Sequence, residues 1–290
     1  MKDPLFTGAC TALVTPFLND RINYPMMEQL LRRQIDAGIE AVVICGTTGE
    51  SPTLSDSEKL ELFSRAKNYA GDACKIIAGT GSNSTSHAVG LSVAAQGCGV
   101  DALLVVTPYY NKTTASGLYE HYLAVAQSVD IPVIIYNVPS RTGMDVPLTV
   151  YRQLCKIPNV VGTKEASTDI TKISKLLHSC ECQMAVWSGN DDMTVPMISL
   201  GAKGVISVLS NVMPVQTQTM CRAALNGDFA TAAALQLKLQ PLIEALFCEV
   251  NPIPVKEAMK MLGYDCGGCR MPLSSISSES RDKLAAILLS

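Results

Sequence analysis

Histidine is scarce in this chain: three in 290 residues, His87, His121 and His178. All three fall in stretches of helical periodicity and are expected to be exposed. A nucleophile–histidine triad or a histidine-rich metal site therefore has no candidate. Charge is also sparse, at 17% of residues with a net charge of −3. No polybasic block is present, so nucleic acid is not an expected partner, and neither is a membrane surface. Apolar runs break at Gly, Pro or polar residues well short of the roughly 18 residues of a spanning helix. The opening MKDPLFTGACTALVTPF lacks the long apolar stretch of a secretory signal. A cytoplasmic location is the expectation.

Cysteine, by contrast, is plentiful, at 11 residues. Cys10, Cys45, Cys155 and Cys248 lie in apolar runs and read as small buried hydrophobes of a reducing compartment. Cys266-Gly-Gly-Cys269 is a lone C-x-x-C, and Cys180-Glu-Cys182 is a tighter pair. A structural zinc site usually takes two well-spaced pairs, so no metal is expected. Hydrophobic residues make up 48% of the chain, enough for a large packed core.

Eight short apolar runs recur: residues 11–17, 40–50, 75–82, 101–110, 131–140, 159–167, 183–191 and 203–211. They are continuous and rich in β-branched residues, not alternating, as suits strands buried on both faces of a parallel sheet. Helical patterns fill the gaps over 24–37, 55–70, 117–128, 147–156, 169–178 and 191–200. Gly38 is suited to follow the first helix, Ser55 to Glu58 form a capping box, and Pro147 suits a first turn. Eight strand–helix units of about 25 to 30 residues are the rhythm of a (β/α)8 TIM barrel. A doubly wound open sheet shares the alternation, but the count of eight favours the barrel. Beyond residue 225 no strand pattern is left. Three helical segments follow, the first with a kink or restart expected at Pro241, and 263–278 reads as a long loop. The expected division is a catalytic barrel over 1–225 and a helical domain over 226–290.

In a parallel barrel, reactive groups sit just beyond the strand C-termini. Those positions here hold Thr47, Thr48, Gly49 and Glu50, then Thr107, Tyr109 and Tyr110, then Tyr136 and Arg141, then Lys164 and Glu165, and finally Gly189 and Asn190. An amine beside apolar barrel walls is poorly hydrated, which favours its neutral, nucleophilic form. Lys164 is thus a candidate Schiff-base former. The competing use is an ion pair with a carboxylate such as Glu50. Tyr136 is a candidate proton carrier through Thr47 or Tyr110, against the commoner use of a strand-end tyrosine as a surface group. Arg141, on a stiff Val-Pro-Ser turn, suits bidentate capture of a carboxylate, against an ordinary exposed loop arginine. Thr47, Thr48 and Gly49 offer hydroxyls and N–H groups as an anion cradle. Gly79-Thr-Gly81 with Asp101 imitates a dinucleotide fingerprint, but its third glycine is replaced by Ser84, and NAD binding is rejected.

GTTGES (46–51), YNVPSRTG (136–143) and GTKEA (162–166) together resemble the dihydrodipicolinate synthase / N-acetylneuraminate lyase family of Schiff-base barrels. The likeness runs from TALVTPF to NPIPVKEAMKMLG, and Arg141 puts it on the synthase side, since sialic-acid lyases generally lack that arginine. It implies that Lys164 condenses with pyruvate to an imine and then an enamine, which attacks aspartate-4-semialdehyde, after which the adduct cyclises. It implies a proton relay of Tyr136, Thr47 and Tyr110, with Tyr110 given by a neighbouring subunit. Thr48 would hold the pyruvate carboxylate and Arg141 that of the aldehyde. Gly189 and Asn190 would line the aldehyde side, and the Ile206 carbonyl would face the site. No metal or organic cofactor is implied, and the assembly would be a homotetramer built as a dimer of dimers.

Two departures from the family pattern stand out. Asn190 replaces a residue that is often acidic. Ser51, Asn83 and Tyr109 match an allosteric lysine site, but Asp56, Lys59 and His87 stand where lysine-inhibited members often carry His, His and Glu, so weak inhibition by lysine is expected. The alternative activities are a sialic-acid or keto-sugar-acid aldolase of the same family and a non-catalytic pyruvate-binding regulatory protein.

Overall fold

Strands form where the continuous apolar runs lie. The computed structural model describes residues 2–180 and 183–288, which leaves Cys182 of the Cys180-Glu-Cys182 pair outside the described residues. Strand β1 is Gly8–Ala12, and the short strands β2 (Phe17–Leu18) and β3 (Arg21–Ile22) pair as an antiparallel hairpin. Seven more strands follow: β4 (Ala41–Ile44), β5 (Lys75–Gly79), β6 (Ala102–Val106), β7 (Val133–Asn137), β8 (Val160–Glu165), β9 (Ala185–Ser188) and β10 (Gly204–Ser207). With β1 they close into one parallel barrel in the order β1-β10-β9-β8-β7-β6-β5-β4. This is the expected (β/α)8 barrel, with helices between the strands.

The first run, expected over 11–17, is placed too late. Its strand ends at Ala12, and Phe17 instead opens the hairpin. The barrel helices are α1 (Tyr24–Asp36), α2 (Asp56–Ala70), α3 (Thr85–Gly97), α4 (Ala115–Gln127), the short α5 (Pro139–Thr142), α6 (Leu148–Leu154), α7 (Ile170–Ser179), α8 (Thr194–Ser199) and α9 (Pro214–Leu225). The Ser55–Glu58 capping box forms as read, and Gly38 after α1 takes a positive φ of 75°. Pro147 caps α6 and does not enter its first turn. A 3-10 turn at Asp191–Met193 precedes α8, where a single helix was expected.

Three further helices complete the chain: α10 (Phe229–Leu246), α11 (Ile253–Met261) and α12 (Ser278–Leu288). Helix α10 continues through Pro241 with no restart. It packs on α8 and α9, and α12 packs on α10 and α11.

Side chains alternate between two cores. Cys10, Val43, Ile77, Leu104, Ile134 and Trp187 are among those that fill the barrel, while a larger cluster seals strands to helices. Trp187 is fully buried and stacks on Phe6 with ring centroids 4.7 Å apart. Gly162 makes room for it, because a Cβ there would stand 2.3 Å from the indole. The glycines of the rejected fingerprint serve strand packing too. A Cβ on Gly79 would meet the Cys45 carbonyl at 2.2 Å, and one on Gly81 the Val106 nitrogen at 2.3 Å. Asp101 is committed to Lys67, Lys75 and the Ile76 N–H. No described helix is long and apolar enough to cross a membrane.

Candidate active site

Strand register brings the two main candidates side by side. Tyr136 on β7 is the cross-strand partner of Lys164 on β8, which in turn pairs with Trp187 on β9. Because strand side chains alternate, Tyr136, Lys164 and Trp187 share one face while Asn137 and Glu165 share the other. The Lys164 amine lies 4.4 Å from the centroid of the Tyr136 ring. Lys164 is 5% exposed and Tyr136 is 6% exposed. Among the described residues no carboxylate lies within ion-pair distance of Lys164. The expected competitor, Glu50, is bound to Lys256 at 2.8 Å instead.

Glu165, the neighbour of Lys164, is fully buried on the outer face. Its carboxylate accepts from Asn137 Nδ2 at 2.8 and 3.0 Å, the Tyr151 hydroxyl at 3.0 Å and the Ser167 N–H at 2.9 Å. Lys172 adds a cation at 3.6 Å. The end of β8 is thereby fixed from behind. Burial and the Glu165 charge together push the Tyr151 phenol well above its ordinary range, so it stays a donor.

Tyr136 also forms a wall of a cavity of about 270 Å³ shared with Thr47, Ser51, Lys59, His87, Tyr109 and Arg141. Arg141 sits on α5, is exposed, and has no acidic partner among the described residues. A guanidinium held at a cavity wall without a counter-ion is placed to receive an anion. The Thr47 hydroxyl is likewise uncommitted, whereas buried Thr48 accepts from Asn251 Nδ2 at 3.0 Å. The expected anion cradle is smaller than its sequence suggests. The N–H groups of Gly49, Glu50 and Ser51 all turn inward, onto the carbonyls of Gly46, Thr47 and Gly46 respectively.

The remaining candidates spread around this centre. Tyr110 is 93% exposed with φ +67° and lies outside its own chain's cavity, so Lys164, Tyr136 and Thr47 are not joined by it within one chain. Ile206 is a buried barrel residue paired with Cys10. Gly189 packs so closely on Ala166 that a Cβ would fall 2.6 Å from that residue's Cβ. Asn190 lines a different cavity, of about 630 Å³, with Ser140, Ala166 and Ser167. Asn83 is half-buried, and its carbonyl accepts from Asn111.

His121 corrects the expectation that all three histidines are exposed. It is 3% exposed, bonds Thr85 through Nδ1, and has its pKa pushed down by burial. His87 is exposed as expected and bridges Ser82 and Asp56. Lys59 is buried beside Asp56 at 3.5 Å. The described cysteines are all free, Cys266 and Cys269 included, and no group of described residues could hold a metal ion.

Sequence reading placed Asp191 at a strand end but gave it no role, and it missed Asn251 and Lys256. Asp191 is buried with Oδ2 accepting the N–H groups of Val208 and Leu209, and desolvation raises its pKa, opposed by hydrogen bonds from Ser207, Leu209 and Val208 and least by the Lys164 charge. The sequence signal of Asp191 is its place as the last residue of the seventh run. The other two lie in the C-terminal helical region, where barrel logic gave no reason to look.

The comparisons agree along the whole chain. The model of the Dihydrodipicolinate synthetase family matches residues 5–290. A 4-hydroxy-tetrahydrodipicolinate synthase of Acetivibrio thermocellus is 44% identical over 288 residues, covering 99% of this chain and 98% of the relative. That of Lachnoclostridium phytofermentans is 47% identical, with 98% and 96% covered. The crystal structure of dihydrodipicolinate synthase from Aquifex aeolicus superposes with a TM-score of 0.97 at 44% identity, covering 98% of this chain and 97% of that one.

Proposed function

This chain belongs to the Dihydrodipicolinate synthetase family, and on that footing we propose that it is a lyase that condenses pyruvate with aspartate-4-semialdehyde to give 4-hydroxy-tetrahydrodipicolinate, in lysine and diaminopimelate biosynthesis. The observation that carries the reading is the pairing of Lys164 with Tyr136 across β7 and β8, next to a cavity walled by an unpaired Arg141.

The Lys164 amine attacks the pyruvate ketone, and loss of water leaves an imine. The imine draws electrons from the neighbouring methyl group, which gives up a proton to Tyr136 and becomes the enamine carbon. That carbon adds to the aldehyde, whose oxygen takes a proton back. The substrate's own amino group then displaces Lys164 as the ring closes, and the free enzyme returns. Tyr136 and Thr47 carry the protons, with Tyr110 completing the relay from a neighbouring subunit. Thr48 holds the pyruvate carboxylate and Arg141 the aldehyde's carboxylate. Gly189, Asn190 and the Ile206 carbonyl border the aldehyde. The lysine serves as electron sink, so the chemistry calls for no metal or organic cofactor.

The same reading gives a cytoplasmic homotetramer in which 226–290 is a distinct helical domain. Ser51, Asn83 and Tyr109 form the remnant of a lysine-sensing site. An aldehyde panel tests the activity. Turnover with pyruvate is expected for aspartate-4-semialdehyde and not for neutral sugar aldehydes such as N-acetylmannosamine, and the reverse preference would refute the synthase assignment.

A further inference from the structure

We propose that the C-terminal helical region is part of the carboxylate-holding site: Asn251, Lys256 and the N–H of Arg270 position the 46–51 loop and so set the enzyme's hold on pyruvate. The inference rests on the function proposed above and concerns residues outside the eight strand–helix units.

The loop after β4 is costly in its own backbone. Cys45 and Glu50 both take φ +56°, the left-handed region that a side chain disfavours. Such a conformation persists only where its surroundings enforce it. Glu50 shows how. Its side chain is fully buried, and its two carboxylate oxygens accept Lys256 Nζ at 2.8 Å and the Arg270 N–H at 2.8 Å. Lys256 is itself 3% exposed, donates to the Gly268 carbonyl at 2.6 Å and lies 4.4 Å from the centroid of the Phe17 ring. A buried carboxylate stripped of its counter-charge is strongly unfavourable, so losing Lys256 forces Glu50, and the loop with it, to move.

Asn251 acts on the same loop one step closer to the chemistry. Its Nδ2 donates to Thr48 Oγ1 at 3.0 Å, and both residues are buried. A hydroxyl whose oxygen already accepts a bond has its proton left to donate. Thr48 is thereby oriented as a donor toward an anionic oxygen, as a pyruvate carboxylate requires. These are positioning residues: they reach the substrate through Thr48 and the loop, not by contact with it.

The test is the pyruvate dependence of borohydride trapping on full-length protein, alongside steady-state KM values for both substrates. Lys256→Met keeps the side-chain length without the charge, and Asn251→Ala removes only the bond to Thr48. Both are expected to raise the pyruvate concentration for half-maximal trapping by about tenfold or more, as loss of a supporting residue behind a liganding group commonly does. The KM for the semialdehyde should move far less, and Lys256→Arg should recover part of the loss. Unchanged pyruvate dependence in both variants, or an equal rise in both KM values, overturns the inference. Should Lys256→Met fail to fold, Asn251→Ala decides by the same readout. Wild-type protein that traps no pyruvate would overturn the proposed function as well, whereas wild-type trapping with unaltered variants overturns this inference alone.

Discussion

At the scale of single residues, Lys164 is defined by what stands on each side of it. Tyr136 presents its ring 4.4 Å from the amine, Trp187 follows in register, and Gly162 clears the space that Trp187 fills. Behind the strand, Glu165 gathers Asn137, Tyr151 and Ser167 and prevents β8 from shifting. Arg141 is the residue whose loss should be most selective. Replacing it by Ala removes a charge-assisted bond worth about 1.5–3 kcal/mol, or roughly 10- to 150-fold in kcat/KM for the semialdehyde. Imine formation with pyruvate should survive, and an equal loss of imine would contradict the carboxylate-holding role. Lys164, Tyr136 and Arg141 were legible in the sequence because each lies at or just beyond the C-terminal end of a recognisable strand. The partner of Glu50 was not, because Lys256 stands 206 positions away. Nor was the burial of His121, since a helix carries no mark of which neighbour will cover its histidine.

At the scale of elements, strands were easier to read than helices. Helix α3, TSHAVGLSVAAQG, was marked only as a helical stretch around His87 with no bounds, and helix α9, PVQTQTMCRAAL, escaped notice, because small residues and threonines blur the apolar stripe that marks a helix. The N-terminus of α2 carries a long-range clamp. Glu58, already in the capping box, accepts from both terminal guanidinium nitrogens of Arg270, at 2.6 and 2.9 Å. The Arg270 hydrogen bonds bring the Glu58 carboxyl down to about 2 from 4.5. A folded-state pKa below the unfolded one gives stability that is complete above the unfolded value and is lost as pH falls through the folded one. Acid titration of thermal stability should therefore show a loss between about pH 4.5 and 2 that Glu58→Gln lacks. Identical acid profiles for the two proteins would show that the clamp adds nothing.

The same helix carries Asp56 and Lys59 of the proposed lysine-sensing site. The cations that wall the 270 Å³ cavity are Lys59 and Arg141, and among the described residues no Asp or Glu joins them. A second ammonium entering there meets a like charge. Millimolar lysine should inhibit weakly, in an assay at saturating pyruvate, and strong saturable inhibition would show that Asp56 screens Lys59 well enough for binding.

At the scale of the whole molecule, the barrel was legible because eight repeats of one rhythm leave few other closures. What the repeat could not show is that the segment after it reaches back. Asn251, Lys256 and Arg270 all bond the barrel near the 46–51 loop. The exposed Tyr110 raises the complementary question of what lies beyond one chain. If it serves a neighbour's site, mixing Tyr110→Phe subunits with Lys164→Ala subunits should restore activity, since one mixed site then has both groups. Absence of complementation in a verified mixed assembly would mean that Tyr110 acts within its own chain or not at all.

The claim on which the rest depends is that Lys164 forms the covalent bond to pyruvate. Borohydride reduction in the presence of pyruvate, followed by digestion and mass mapping, reads it directly. The expected result is a three-carbon adduct on the peptide containing Lys164 and on no other lysine peptide, with none in Lys164→Arg. An unmodified Lys164 peptide, or an adduct on another lysine, would contradict the mechanism.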